Sequence, residues 1–208
     1  MRSTLDQNLH VLYTDIIKMG TLIEKAIDDT ITALVNHDCE LAKKVYEGDD
    51  VFDDMTKDIE NKCIGLIARR QPVATDLRKI FSVVQIVKDL ERIADHCEDI
   101  SGYTLKLADK EYMKPLIDLP KMAKEVKEMI KMTVDCYIEQ DIEKAKQVCE
   151  RDNVVDEYFD IIYEDLEYVM ENKPEDISQG MDFLMISKYF ERMADHATNI
   201  AGWVVYGM

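Results

Sequence analysis

At 208 residues, with 47% hydrophobic and 33% charged side chains, the chain has the composition of a folded globular protein and enough length to bury a sizeable core. A formal charge of −17 excludes a broad nucleic-acid footprint and unaided docking on anionic lipid, both of which need clustered Lys and Arg. It leaves metal cations and basic protein patches as partners, beside the plainer reading that acidity keeps a protein soluble.

The N-terminal "MRSTLDQNLHVLY" lacks the continuous apolar stretch of a signal peptide, and no run approaches the ~20 apolar residues of a membrane span. From Leu5 the apolar positions Leu9, Leu12, Ile16, Met19, Ile23 and Ala26 step by four and three, one stripe of a helix. Breaks near His37-Asp38, at Pro72, across "DKEYMKPLIDLP", near Gln140-Asp141 and at Pro174 predict six helices: 3–36, 39–70, 74–108, 117–139, 142–171 and 175–206. No stretch of comparable length alternates with period two. Five cysteines, odd in number and without a C-x-x-C pair, fit buried thiols in a reducing compartment, so a cytoplasmic location is expected.

Two phrases repeat. "DCELAKKVYEGDDVFD" (38–53) agrees with "DIEKAKQVCERDNVVD" (141–156) at nine of sixteen positions, and "LERIADHCEDI" (90–100) returns as "FERMADHATNI" (190–200). The chain therefore reads as all-α, two pseudo-repeat three-helix bundles over 1–110 and 111–208 related by a pseudo-two-fold. The last predicted helix runs to the final residues, so no C-terminal tail is expected.

The repeated phrases carry carboxylates four apart, hence on one helix face: Asp49 with Asp53, Glu91 with Asp95, Asp152 with Asp156, Glu191 with Asp195. Asp49 interrupts the apolar stripe between Val45 and Phe52, and Asp152 does so between Val148 and Val155, which puts the acids at the core margin. Crowded carboxylates there need protonation, salt bridges or bound cations. Cations are the preferred reading, because paired hard oxygens suit Mg²⁺, Mn²⁺, Ca²⁺ or iron and several carboxylates bridge more than one ion. A single such pair would be read as a solvated acidic face; four equivalently placed pairs are a stronger signal.

His96 and His196 lie about 140° around the helix from their glutamates and are read as capping, interface or surface groups rather than ligands. No E-x-x-H occurs, against a ferritin-like oxidase, and no nucleophile elbow, P-loop or dinucleotide fingerprint is present, so no catalysis is expected. "ARRQPVATDLRKI" (68–80) sets Arg69, Arg70, Arg78 and Lys79 around a turn of an acidic chain. It is a candidate docking site or a local balance of charge.

Through "AKKVYEGDDVFD", "IARRQPVATDLR", "LERIADHCEDI", "AKQVCERDNVVDEYF" and "YFERMADHATNIAGWVVYGM" the sequence resembles the PhoU family of phosphate-transport accessory and regulatory proteins over essentially its whole length. The resemblance implies a pair of three-helix bundles whose E/D-x-x-x-D motifs hold divalent or trivalent ions, in clusters of more than one, with iron, manganese, magnesium and zinc as the candidates. It places the metal face at Asp49, Asp53, Glu91, Asp95 and Asp99 in one half and at Asp152, Asp156, Glu191, Asp195 and Asn199 in the other. Asn199 supplies a neutral oxygen where Asp99 supplies a charged one, so the second site is expected to hold metal less tightly or to hold fewer ions. The resemblance further implies a non-enzymatic negative regulator that couples the ATPase subunit of a phosphate ABC transporter to a phosphate-sensing histidine kinase. It would reach the membrane only through those partners, as a homodimer. The alternatives are a metal-free helical adaptor, or an enzyme or iron-storage protein using the same carboxylates.

Overall fold

The structure, a computed structural model, describes residues 2–208, with side chains from Leu9 onward. Among the described residues seven α-helices follow one another: α1 (Arg2–Asn36), α2 (Cys39–Tyr46), α3 (Asp50–Arg70), α4 (Ala74–Leu107), α5 (Leu119–Glu139), α6 (Ile142–Asn172) and α7 (Ile177–Gly207), with a 3₁₀ turn (Pro174–Asp176) before the last. No strand occurs among the described residues. None of these helices is long and apolar enough to cross a membrane.

The first repeat is α1 to α4 and the second α5 to α7, and the same local chemistry turns the chain in both. His37 (φ 52°) and Gln140 (φ 54°) adopt the left-handed conformation that ends α1 and α5. The next residue, Asp38 or Asp141, donates its backbone N–H back to Ala33 or Cys136 at 2.9 and 3.2 Å. Its carboxylate then caps the following helix, Asp38 accepting from Leu41 N–H at 3.0 Å and Asp141 from Glu143 N–H at 2.9 Å. Two of the repeated aspartates are thus turn residues and not part of any site.

The predicted helix 39–70 is interrupted, whereas its counterpart α6 runs unbroken. Gly48 N–H bonds to Val45 O at 3.1 Å, a tighter turn than the α-helix makes, and a Cβ on Gly48 would stand 2.9 Å from the carbonyl oxygen of Lys44. Only glycine fits there. The second repeat has Arg151, which stays helical and donates to Glu125 from Nε and Nη2 at 3.0 and 2.9 Å. The break sets Asp49 at the head of α3, where its carboxylate makes no capping hydrogen bond.

One apolar core runs through both repeats. The equivalent helices α4 and α7 form the most extensive pairing, and α1 with α5 makes a second contact between the halves. Buried Leu90 and Phe190 occupy matching positions in the α4–α7 pair. Along the same seam the His96 and His196 rings lie 5.7 Å apart, and each meets residue 89 or 189 of the other helix. His196 Nδ1 is 2.8 Å from Asp89 Oδ1, and the His96 ring centroid is 5.2 Å from that of Tyr189. The pseudo-two-fold is therefore visible in individual side chains.

At the α1–α5 contact a Cβ on Gly20 would come 2.7 Å from Val134 Cγ2. Valine is stiff at χ1 and cannot swing aside. Gly20→Ala should lose about 1 kcal/mol net, overpacking of ~1–3 kcal/mol exceeding the ~1 kcal/mol that alanine gains as a helix former. Urea denaturation would read the loss, and Val134→Ala in the Gly20→Ala background should recover part of it.

Candidate functional site

Each repeat assembles its acids from two helices. In the first, Asp49 and Asp53 at the head of α3 face Glu91, Asp95 and Glu98 in the middle of α4. In the second, Asp152 and Asp156 on α6 face Glu191 and Asp195 on α7. The pairing follows from the repeat, since both α3–α4 and α6–α7 are antiparallel neighbours joined by a short turn.

Electrostatically the two faces match. Burial pushes the Asp49 carboxyl up to about 6, reinforced by the charges of Asp95, Glu98, Asp53 and Glu91. Asp152 is likewise pushed up to about 6 by burial and then by Asp156, Asp195 and Glu191. Burial and then Asp95 raise Glu91, and burial and then Glu191 raise both Asp156 and Asp195. Glu98 is raised by burial and then by Asp99 and Asp95. Glu98 stands on the first face, where the helical stripe through Glu91 and Asp95 puts it, although the resemblance does not count it among the ligands. It lies seven residues after Glu91 and three after Asp95, on the same helical stripe.

Cations of the chain offset part of this repulsion. Arg92 donates to Asp95 at 2.6 Å and lies 3.6 Å from Glu91; Lys188 donates to Glu191 at 2.5 Å; Lys57 donates to Asp53 at 3.1 Å. Two acceptors are left over, one on each face: Asp49 Oδ1 and Glu191 Oε2 are buried with no hydrogen-bond partner. Such orphaned charge is costly unless a proton or a cation joins it. A hollow of about 200 Å³ opens beside Asp49, walled by Leu22, Val45, Phe52 and Cys97.

Among the described residues no three His, Cys, Asp or Glu side chains stand close enough to hold an ion as they are. The donor chemistry nevertheless suits hard cations: anionic oxygens in excess, two of them buried and unpartnered, none of them sulfur. Arg92 and Lys188 now occupy carboxylate oxygens, on Asp95 and Glu191, that a cation would have to share or take over. Asp99 and Asn199 sit at the exposed margin, where Asp99 Oδ2 is 3.4 Å from His96 Nδ1 and Asn199 makes no side-chain hydrogen bond among the described residues. Of the basic turn, Arg69 and Arg70 end α3 and Arg78 lies on the second turn of α4, all exposed and remote from the carboxylates in sequence register.

Comparison with known proteins agrees with this architecture. The PhoU domain model matches residues 16–104 and again 119–204, one copy per repeat. The phosphate-specific transport system accessory protein PhoU homolog of Clostridium acetobutylicum is 38% identical over 206 residues, covering 99% of this chain and 94% of that protein. That of Aquifex aeolicus is 41% identical over 178 residues, 85% of this chain and 80% of the relative. The crystal structure of PhoU from Pseudomonas aeruginosa superposes with a TM-score of 0.92 at 30% identity over 97% of both chains. A two-bundle helical fold, repeated carboxylate phrases on matching helices and full-length relatives together show that the chain belongs to the PhoU family.

Proposed function

We propose that the chain is an accessory regulator of phosphate transport that works by binding: a negative regulator which couples the ATPase subunit of a phosphate ABC transporter to a phosphate-sensing histidine kinase, with cations held on its two carboxylate faces. Its relatives' names supply the transport-system association. The observation that carries the metal half is the duplicated acidic face with an orphaned buried oxygen on each copy. A homodimer belongs to this reading, symmetric pairs being the commonest assemblies.

In the first repeat Asp49, Asp53, Glu91 and Asp95 would hold the ions, with Asp99 at the rim; in the second Asp152, Asp156, Glu191 and Asp195, with Asn199 at the rim. Bound cations would neutralise the crowded charge, tie α3 to α4 and α6 to α7, and so fix the surface offered to partners. Asp49 and Asp152 contribute most by position, since burial has already raised their carboxyls and a cation would return them to the charged form.

Elemental analysis of the purified protein tests this against Glu91→Ala/Asp95→Ala/Glu191→Ala/Asp195→Ala. More than about one equivalent of iron, manganese, magnesium or zinc per chain is expected in the parent, lost in a variant that keeps its helical signal. At a hundredfold excess over Kd the ion should add about 2.7 kcal/mol to the parent's stability. Absence of metal from the parent even after incubation with each ion would remove the metal half and leave a metal-free adaptor.

A further inference from the structure

Residues 69–79 run against the charge of the chain. Arg69, Arg70, Arg78 and Lys79 face a single acid, Asp76, giving +3 where the whole protein carries −17. Arg69 and Arg70 make no ion pair among the described residues and stand on the wall of a cleft of about 390 Å³ between α1 and α3, floored by Leu12, Leu66 and Gly65. A Cβ on Gly65 would meet nothing within 4 Å, so the floor is open. Lys62, on the same cleft, is already engaged by Asp15 at 2.9 Å and Asp58 at 3.3 Å. The free charge there belongs to the two arginines.

The same end of the bundle exposes apolar surface. Val73 is 70% exposed in the turn, and Leu77 and Phe81 follow on α4 at 42% and 44%. Phe81 lies edge-on to Trp203 and Tyr206 of α7, with ring centroids 5.9 and 6.2 Å apart, and the Arg78 guanidinium sits 5.7 Å from the Tyr206 centroid. The apolar positions recur in the second repeat, where Ile177 and Met181 are 48% and 49% exposed at the places of Leu77 and Phe81, so what sets this end apart is its arginines. At the equivalent turn the second repeat has Lys173, Pro174, Glu175 and Asp176, and it connects α6 to α7 equally well with acids in place of arginines.

From this asymmetry we infer that the α3–α4 end is the docking surface for an acidic partner segment bearing an apolar side chain. Its carboxylates would be taken by Arg69, Arg70 and Arg78, and its apolar residue by Val73, Leu77 and Phe81. Guanidinium forks bind carboxylates two bonds at a time, and arginine beside aromatic surface is the composition of interface hot spots. The chain's overall negative charge would repel a generally acidic protein, so only a partner presenting a confined acidic segment to this end gains from it. The inference rests on the adaptor reading and names the surface that reading leaves open.

Titration of the parent with the purified transporter ATPase subunit and with the cytoplasmic part of the phosphate-sensing kinase tests both. Arg69→Glu/Arg70→Glu/Arg78→Glu should weaken one of these complexes at least roughly tenfold, with a steep salt dependence in the parent. Leu77→Ser/Phe81→Ser should weaken the same complex, while Glu175→Arg/Asp176→Arg at the equivalent turn should not. Arg69→Lys/Arg70→Lys/Arg78→Lys should bind between parent and charge reversal, and unchanged far-UV circular dichroism establishes that each variant folds. If the parent binds a partner and both turn variants bind it equally well, the surface is wrong and the adaptor stands. The surface is also wrong if the reversal instead abolishes binding to phosphatidylglycerol vesicles, or self-association through a second copy's Glu175 and Asp176, with partner binding intact. Failure of the parent to bind either protein overturns the adaptor reading and this inference with it.

Discussion

Phe190→Ala should cost the protein about 3–5 kcal/mol, and lower Tm by roughly 10 °C for a chain of this size. The side chain is fully buried, on the helix that makes the most extensive pairing in the molecule, and immediately precedes Glu191 of the second acidic face. Truncation removes a ring from a seam where Leu90 and Ile93 from α4 and Met193 and Ala194 from α7 are all buried, and helices bonded along their length cannot collapse to fill the void. Phe190→Leu installs the residue that the first repeat uses at the matching position, Leu90, and should lose less than about 2 kcal/mol, because the remaining volume change is small. Urea unfolding, followed both by far-UV circular dichroism and by fluorescence of Trp203, would read the losses and show whether the two bundles come apart together. A loss below about 1 kcal/mol for the alanine variant would mean that the α4–α7 seam is loosely packed and that the halves are not fused through it.

Much of this architecture was legible because it depends on periodicity and repetition. The stripe from Leu9 to Ala26 gave α1, Asp38 and Asp141 marked helix starts that the structure shows as caps, and the two copies of the E-R-x-A-D-H phrase gave α4 and α7 as counterparts. The break at Gly48 was hidden by its surroundings, since Glu47, Asp49 and Asp50 continue the helical pattern and only the approach of Lys44 O decides the matter. At the acidic faces, spacing showed which carboxylates share a helix side but not how far apart their oxygens lie. On each face a cation of the chain holds one of the acids, Arg92 on Asp95 and Lys188 on Glu191, and neither stands out in a chain with 26 Lys and Arg. The histidines show the same boundary. Helical geometry turned them away from Glu91 and Glu191, yet their meeting across the seam follows from the register of α4 on α7, which no single helix encodes.

In chelator at pH 8, Asp49→Asn/Asp152→Asn should be more stable than the parent by about 2 kcal/mol, the reverse of what deleting two repeated residues ordinarily does. Both carboxyls are pushed up to about 6 in the folded protein, against an ordinary value of 3.8, chiefly by burial. A raised acid binds its proton more tightly folded than unfolded, so the fold gains stability as pH falls through 6 towards 4 and carries the full cost of the charges above 6. The displacement from 3.8 to about 6 is worth about 3 kcal/mol per residue at ~1.4 kcal/mol per pH unit, which the solvent reaching these half-buried side chains reduces to about 1 kcal/mol. Metal-free parent should therefore melt higher at pH 5 than at pH 8, and the double asparagine variant should flatten that slope, its advantage over the parent shrinking at pH 5 and vanishing only near pH 4. Saturating manganese should invert the order at pH 8: the parent then keeps two anionic ligands that a cation stabilises, and the variant does not. Thermal melts at two pH values, with and without metal, give all four arms. A parent most stable at pH 8 in chelator, and weakened by the substitutions, would mean that Arg92, Lys188 and Lys57 already satisfy the acidic faces, and the carboxylates would then be structural ion pairs rather than places kept for a cation.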